Sequence, residues 1–454
     1  MSKSGTLRSF AKYASLNVLG MIGLSCYILA DTFFVSKGLG ADGLTALNLA
    51  IPVYSFIHGS GLMIGMGGGI RYSIQNSQHR QTEANRTFTN AVCLAAAFAV
   101  VFVLAGVFLP GTISKVFGAE GDVYEMSKTY MQVILLFSPA FLMNNVLLCF
   151  VRNDGSPQLS MTAMLVGSLS NVILDWIFIF PLQMGIFGAV FATSLAPIIS
   201  MLILSRHFLG RTNQIRLVAC RLKGAQFTTI LSGGIPSLIT EVSSGIVIIV
   251  FNSILLNLAG NVGVAAYGVV ANLSLVVIAI YTGLSQGIQP MISQSYGIGN
   301  ERDIQVVFRY AMITMVVFSV VIYVGVLFGA PQITEIFNSG HDVILQEIAE
   351  QGLRLYFIAG PFAGFNIILS MYFTSTERPL PAHLISLLRG FFVIVPMAFL
   401  LSWIGGIPGV WCAFPVTELI VMLIALVLYV SKGQKLRFLG KGNQGLQGDK
   451  CNDQ

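Results

Sequence analysis

Four carboxylates and one imidazole stand inside long apolar runs of this chain: Asp31, Asp175, Glu241, Glu418 and His58. A charged group in hydrocarbon costs about 2.5 to 3.5 kcal/mol on insertion scales, so residues of this kind carry functional information. Asn171 and Asp175 are four apart, as are Tyr27 and Asp31, a spacing that puts each pair on one helix face. Two carboxylates with an amide oxygen and a hydroxyl form a set of hard oxygen ligands able to hold a small hard cation. The same set can hold a proton, because two neighbouring carboxylates in a low dielectric cannot both ionise cheaply. A plainer use is also open: such hydrogen bonds can simply tie helices together. Glu241 suits a second coupling site or a counter-ion for a cationic substrate, and Glu418 is a further candidate. His58 suits a proton relay or an interhelical hydrogen bond, and Arg389 reads as a side chain reaching out to lipid phosphate.

These residues need a membrane-spanning frame. Of 454 residues, 55% are hydrophobic and only 10% charged, whereas soluble domains carry about 25% charged residues. The mean hydropathy of +0.79 excludes a soluble domain, and the unbroken apolar runs argue against a barrel. The runs predict twelve helices, at about 13–36, 44–70, 88–113, 128–150, 158–181, 186–205, 227–257, 264–295, 307–329, 351–374, 384–404 and 408–430. Asp31, Asp175 and Thr193 then lie at one depth, roughly 8 to 10 Å below the outer surface at 1.5 Å per residue. With both termini cytoplasmic, 21 of the 25 Lys and Arg fall on the inner side, Arg152 among them. The net charge of +6 is thereby a topology signal and calls for no nucleic acid. Six cysteines show no CxxC pair and read as free thiols. The first apolar run is too long for a cleaved leader and is expected to stay as a span.

An internal repeat fixes the architecture. GADGLTA from Gly40 recurs as GNVGVAA from Gly260, and SGLMIG from Ser60 recurs as TGLSQG from Thr282. Pro139, Asn144 and Pro157 match Pro361, Asn366 and Pro379, and GIFGAVFA from Gly185 matches GIPGVWCA from Gly406. Each half holds six helices, so the repeat is parallel and two six-helix bundles face a shared cavity. The expected division is an N-lobe at 1–205, a cytoplasmic linker at 206–226, a C-lobe at 227–434 and a tail at 435–454. The glycine run from Ser60 to Gly69 reads as close helix packing, since it lacks the Lys-Ser/Thr ending of a phosphate loop. No nucleophile or metal constellation stands out, which argues against an intramembrane enzyme.

The stretches Ile28 to Pro52 (ILADTFFVSKGLGADGLTALNLAIP), Ser170 to Phe180, Gly185 to Ala196 and Gly234 to Gly245 resemble the multidrug and toxic compound extrusion (MATE) family. They are most similar to its bacterial branch of MepA-like and DinF-like exporters. The resemblance implies an all-α polytopic membrane protein with two pseudo-symmetric six-helix lobes in a plasma (inner) membrane. It also implies a secondary transporter that exports amphipathic organic cations and drugs in antiport with Na⁺ or H⁺, without a cofactor. A family cation site carries over onto Asp31, Asn171, Asp175 and Thr193, with Tyr27 and Asn145 nearby, and the acid some members use in helix 7 falls on Glu241. Two departures stand out: helix 1 has no proline before Asp31, and helix 10 has no acid. The expected partners are small-molecule cations and the lipid bilayer, with the chain acting as a monomer. A flippase of lipid-linked intermediates is the alternative, though its cavity should favour a basic lining for phosphate.

Overall fold

The protein, seen here as a computed structural model, is described over residues 3–210, 213–219, 224–338 and 342–442. Arg211, Arg221, Lys223, Lys450, Cys220, Cys451, His341 and most of the tail lie outside the described residues. Among the described residues every regular element is helical. Eight helices are long and apolar enough to cross a membrane, and a bent pair makes a ninth. Single-glycine breaks at Gly40, Gly260 and Gly406 divide three of these, which gives twelve spans.

In chain order, helix 1 (3–39) and helix 2 (41–77) meet at Gly40. Helix 3 is Gln81–Phe108, and helix 4 joins Gly121–Leu136 to Ser138–Asn153 through a bend of 48°. Helix 5 is Pro157–Ile179 and helix 6 is Gly185–Leu209. Helices 7 (224–259) and 8 (261–297) meet at Gly260, and helix 9 is Glu301–Phe337. Helix 10 runs Val343–Tyr356, then a 3₁₀ turn at Phe357–Ala359, then Gly360–Ser375. Helix 11 starts as Pro379–Leu387, loosens into a π turn at Leu388–Phe392, and continues to Gly406, after which helix 12 runs on to Gly442.

The predicted connections between helices 1 and 2, 7 and 8, and 11 and 12 shrink to one residue each. Hydropathy marks what lipid covers, while backbone hydrogen bonding continues beyond it. The elbows at Gly40 (φ 69°, ψ −158°) and Gly260 (φ 62°, ψ −151°) need a left-handed conformation that only glycine adopts without strain. They occupy equivalent positions of the repeat, so the two halves turn the same corner by the same backbone device. The break in helix 4 at Phe137 likewise corresponds to the 3₁₀ turn of helix 10, each beside its matched proline, Pro139 or Pro361.

Two large hydrophobic cores form among the described residues, with two smaller clusters beside them. One draws mainly on helices 1 to 6 and the other on helices 7 to 12. At the end of the bundle where the chain starts, here the terminal end, the cores trade residues. Phe10 of helix 1 joins the second core and Ile230 of helix 7, its counterpart in the repeat, joins the first. The trade is possible because helix backbones touch there: a Cβ on Gly67 would collide with Ile230 O, and one on Gly234 with Met63 O. The glycine run of helix 2 therefore packs helix against helix. Hydrogen bonds add to this closure, with Asn153 and Gln289 exchanging amide bonds at 2.9 and 3.0 Å and Arg71 pairing with Glu377. Toward the opposite end, between 28–52 and 247–272, no hydrogen bond links the halves among the described residues.

The described part of the connection between the halves is held in place. Residues 213–219 run along helix 3, where Arg216 N–H donates to Asn85 Oδ1 and Val218 N–H to Thr89 Oγ1, both at 3.1 Å. Buried Asp154 anchors its start, accepting from Tyr72 (2.6 Å), His207 Nε2 (2.7 Å) and the Gln214 N–H (2.9 Å). His207 is thus a buried structural link.

Candidate functional site

Helices 1, 5 and 6 bring Asp31, Asn171, Asp175 and Thr193 together. All four are buried, Asp175 and Asn171 completely. The Asp31 and Asp175 carboxyls meet within hydrogen-bond range. Two carboxyl oxygens in such contact call for a proton or a bridging cation between them. Asp31 Oδ1 and Asp175 Oδ1 have no other partner, so each keeps an acceptor free.

Asn171 takes a different part from the one its sequence position suggests. With its amide turned to satisfy both sides, its nitrogen donates to Asp175 Oδ2 and its oxygen accepts the Thr193 N–H, each at 3.1 Å. The amide oxygen is therefore committed to a backbone, and the oxygens left for a cation are those of Asp31, Asp175 and the Thr193 hydroxyl, which itself donates to Ala189 O at 3.2 Å. Tyr27 shares a 2.9 Å hydrogen bond with Tyr54. Tyr130, on helix 4, stands beside Thr193 and both carboxyls. The sequence offered Tyr54 only as a residue four before His58 on one helix face, and gave no sign of Tyr130.

A cavity lies next to the pair; Tyr27, Tyr54 and Thr193 line it at the carboxyl side and Asn145 farther down. Asn145 donates to His58 O at 3.4 Å, a tie between helices 4 and 2 outside the carboxyl cluster. A second, larger cavity lies between the lobes and shares Tyr54 and His58 with the first. Glu241 faces it, with its carboxylate 3.6 Å from His58 Nδ1 and its side chain one-third exposed at 33%. His58 Nδ1 makes no hydrogen bond, so the interhelical bond expected of it does not form; its ring stacks on Tyr54 at 5.7 Å. Among the described residues, Glu241 is the one acid that lines this cavity. We expect Glu241→Gln to raise KM for cationic substrates about tenfold, a net of roughly 1.4 kcal/mol after solvent screening, and to leave neutral ones unchanged. Transport assays with a matched cationic and neutral pair check this.

Glu418 does not join either group. It is buried in the C-lobe, where its Oε1 accepts from Arg389 Nε (3.1 Å) and Nη2 (2.8 Å) and its Oε2 from Asn366 (2.7 Å). Arg389 therefore does not reach out to lipid. The π turn carries its guanidinium inward, because a buried carboxylate holds it more firmly than an exposed phosphate. Arg152, counted among the inner-side basic residues, is also inward: it is 2% exposed.

The repeat shows why the second lobe lacks a copy of the Asp31 site. The counterpart of Asp31 is Phe251 and that of Thr193 is Phe414. Phe251 stacks on Tyr267 at 5.3 Å and Phe414 on Tyr356 at 4.5 Å, so rings fill the space that the carboxyls occupy in the first lobe.

Known proteins share this fold. The chain is 22% identical over 428 residues to the multidrug export protein MepA of Staphylococcus saprophyticus, covering 94% of each chain. It is 21% identical to MepA of Staphylococcus aureus strain MSSA476 over the same length and coverage. Among solved structures it superposes on a MATE protein in complex with MaL6 with a TM-score of 0.90 at 21% identity, covering 95% of this chain and 97% of that one. It superposes with a TM-score of 0.89, at 21% identity, on an outward-facing multidrug resistance MATE family transporter of the MOP superfamily, covering 96% and 99%. These likenesses show the fold, two six-helix lobes in a multi-pass membrane protein. The MatE family model matches residues 18–177 and 235–400, one block in each half, and the chain belongs to that family.

Proposed function

We propose that this transporter is a secondary active exporter of amphipathic organic cations, working by antiport in a plasma membrane with both termini cytoplasmic. The observation that carries the reading is the buried Asp31 and Asp175 pair set just behind Tyr27 and Thr193, which line the neighbouring cavity. The names of the relatives, multidrug export proteins, support the substrate class. We assign the N-lobe to 1–205, the linker to 206–226, the C-lobe to 227–434 and the cytoplasmic tail to 435–454, with the monomer as the working unit.

Closure at the terminal end, with no hydrogen bond joining the halves at the other among the described residues, supports an outward-facing state. In it a coupling cation enters from outside and settles on Asp31 and Asp175, and a substrate at Glu241 leaves. Rocking of the lobes then opens the terminal end, where the coupling cation departs and new substrate binds. Coupling follows from unequal cation affinity in the two states, and each charge crossing 100 mV supplies about 2.3 kcal/mol. We assign the proton as the coupling ion, because the two carboxyls touch and Asn171 turns an N–H toward them rather than an oxygen. Reconstituted efflux with the H⁺ and Na⁺ gradients imposed separately tests this. Efflux driven by a pH gradient alone is expected, and efflux that needs Na⁺ would sink the assignment.

A further inference from the structure

No acid answers Arg152. Its Nη1 donates to Asn17 Oδ1 of helix 1 and to Gln286 Oε1 of helix 8, both at 2.8 Å. Its Nη2 faces Met66 Sδ at 3.2 Å and Cys149 Sγ at 3.6 Å, and its Nε has no partner. Every one of these neighbours is neutral, since the thiol of Cys149 lies fully inside the protein. Asp154, two residues on, is committed to Tyr72, His207 and the Gln214 N–H. An arginine this buried is ordinarily paired with a carboxylate. Here hydrogen bonds from amides hold the guanidinium in place while leaving its charge unneutralised.

Its position gives that charge a use. The cavity near the carboxyl pair is lined by Tyr27 and Thr193 at one end and by Ser200, Gln286 and Arg152 at the other. Asn145 and Arg152 are seven residues apart on helix 4, about 10 Å along the axis. The cavity therefore runs from beside the cation site toward the terminal end, where a positive charge lines it. Fixed arginines exclude protons and other cations from pores by the same electrostatics.

We propose that Arg152 is an electrostatic plug. While the protein faces outward, its charge keeps a coupling cation on Asp31 and Asp175 from escaping to the cytoplasm without substrate movement. Gln286 belongs to the opposite lobe, so the plug is assembled only when the terminal end is closed and comes apart as helix 8 withdraws. The proposal rests on the antiport reading above and adds a residue that enforces its coupling.

The test is proton leak into proteoliposomes carrying an internal pH dye, with a pH gradient imposed and no substrate present. R152Q, which can keep hydrogen bonds to Asn17 and Gln286 but loses the charge, is expected to leak at least about tenfold faster than the parent. R152K, which keeps the charge, is expected to stay near the parent rate. N17D, which gives the guanidinium a carboxylate partner without moving it, is expected to leak as well and serves if R152Q does not assemble. Tight vesicles with both R152Q and N17D would overturn the plug, as would R152K leaking as fast as R152Q. Substrate exchange by the parent protein is read in the same vesicles. Its absence would sink the antiport reading, whereas tight R152Q and N17D vesicles beside a competent parent would sink the plug alone.

Discussion

Asp175→Asn is expected to reduce gradient-driven efflux by on the order of 100-fold or more, because the site can no longer bind and release a cation as the state changes, and a site of equal affinity in both states couples nothing. The variant should still insert and purify normally. Asn has the shape of Asp, and its oxygen can still accept the 3.1 Å hydrogen bond from Asn171. Its amide can also donate to Asp31, replacing the shared proton with a permanent hydrogen bond. The expected phenotype is a folded protein that binds substrate and does not exchange it. Binding measured in detergent, beside efflux from proteoliposomes under an imposed gradient, separates the two. Normal efflux by this variant would refute the role given to the pair.

Arg389→Met is expected to destabilise the protein by about 3 to 5 kcal/mol, since it strands the buried Glu418 carboxylate without its guanidinium. Glu418→Gln should cost less, because Arg389 is 13% exposed and borders the cavity between the lobes, where water can reach it. The double variant Arg389→Met with Glu418→Met should recover most of the loss, as apolar replacements of buried ion pairs often do. Unfolding of the three proteins in one detergent gives the coupling directly. Equal losses for the single and double variants would show that the two residues act separately.

The fold was legible in the sequence because its signals are long. Twelve apolar runs, a basic bias and a repeat held across Gly40 and Gly260, and across Gly185 and Gly406, each draw on many residues. The meeting of Asp31 with Asp175 was legible through a shared depth. What escaped depends on how helices rotate and tilt against one another. Tyr54 and Tyr130 reach the carboxyls from neighbouring helices, and no local spacing marks a contact of that kind. Arg389 was misread, and the burial of Arg152 missed, for a different reason. A basic residue near a helix end is normally a sign of topology, and only packing shows whether it turns outward to water or inward to a buried amide or carboxylate. Asn366 offered one available hint: it matches Asn144 in the repeat, and it binds Glu418 at 2.7 Å.

The paired glycine elbows have a historical meaning. Gly40 and Gly260 keep nearly the same backbone angles although the residues nine positions before them, Asp31 and Phe251, share no chemistry. This is the pattern left by duplication of an ancestral six-helix gene, in which drift has been free to rewrite one copy's ion chemistry but not its corners. On the mechanism we propose, an ion site kept in one copy alone turns an ancestor of two equal halves into a machine with a driving side and a driven side.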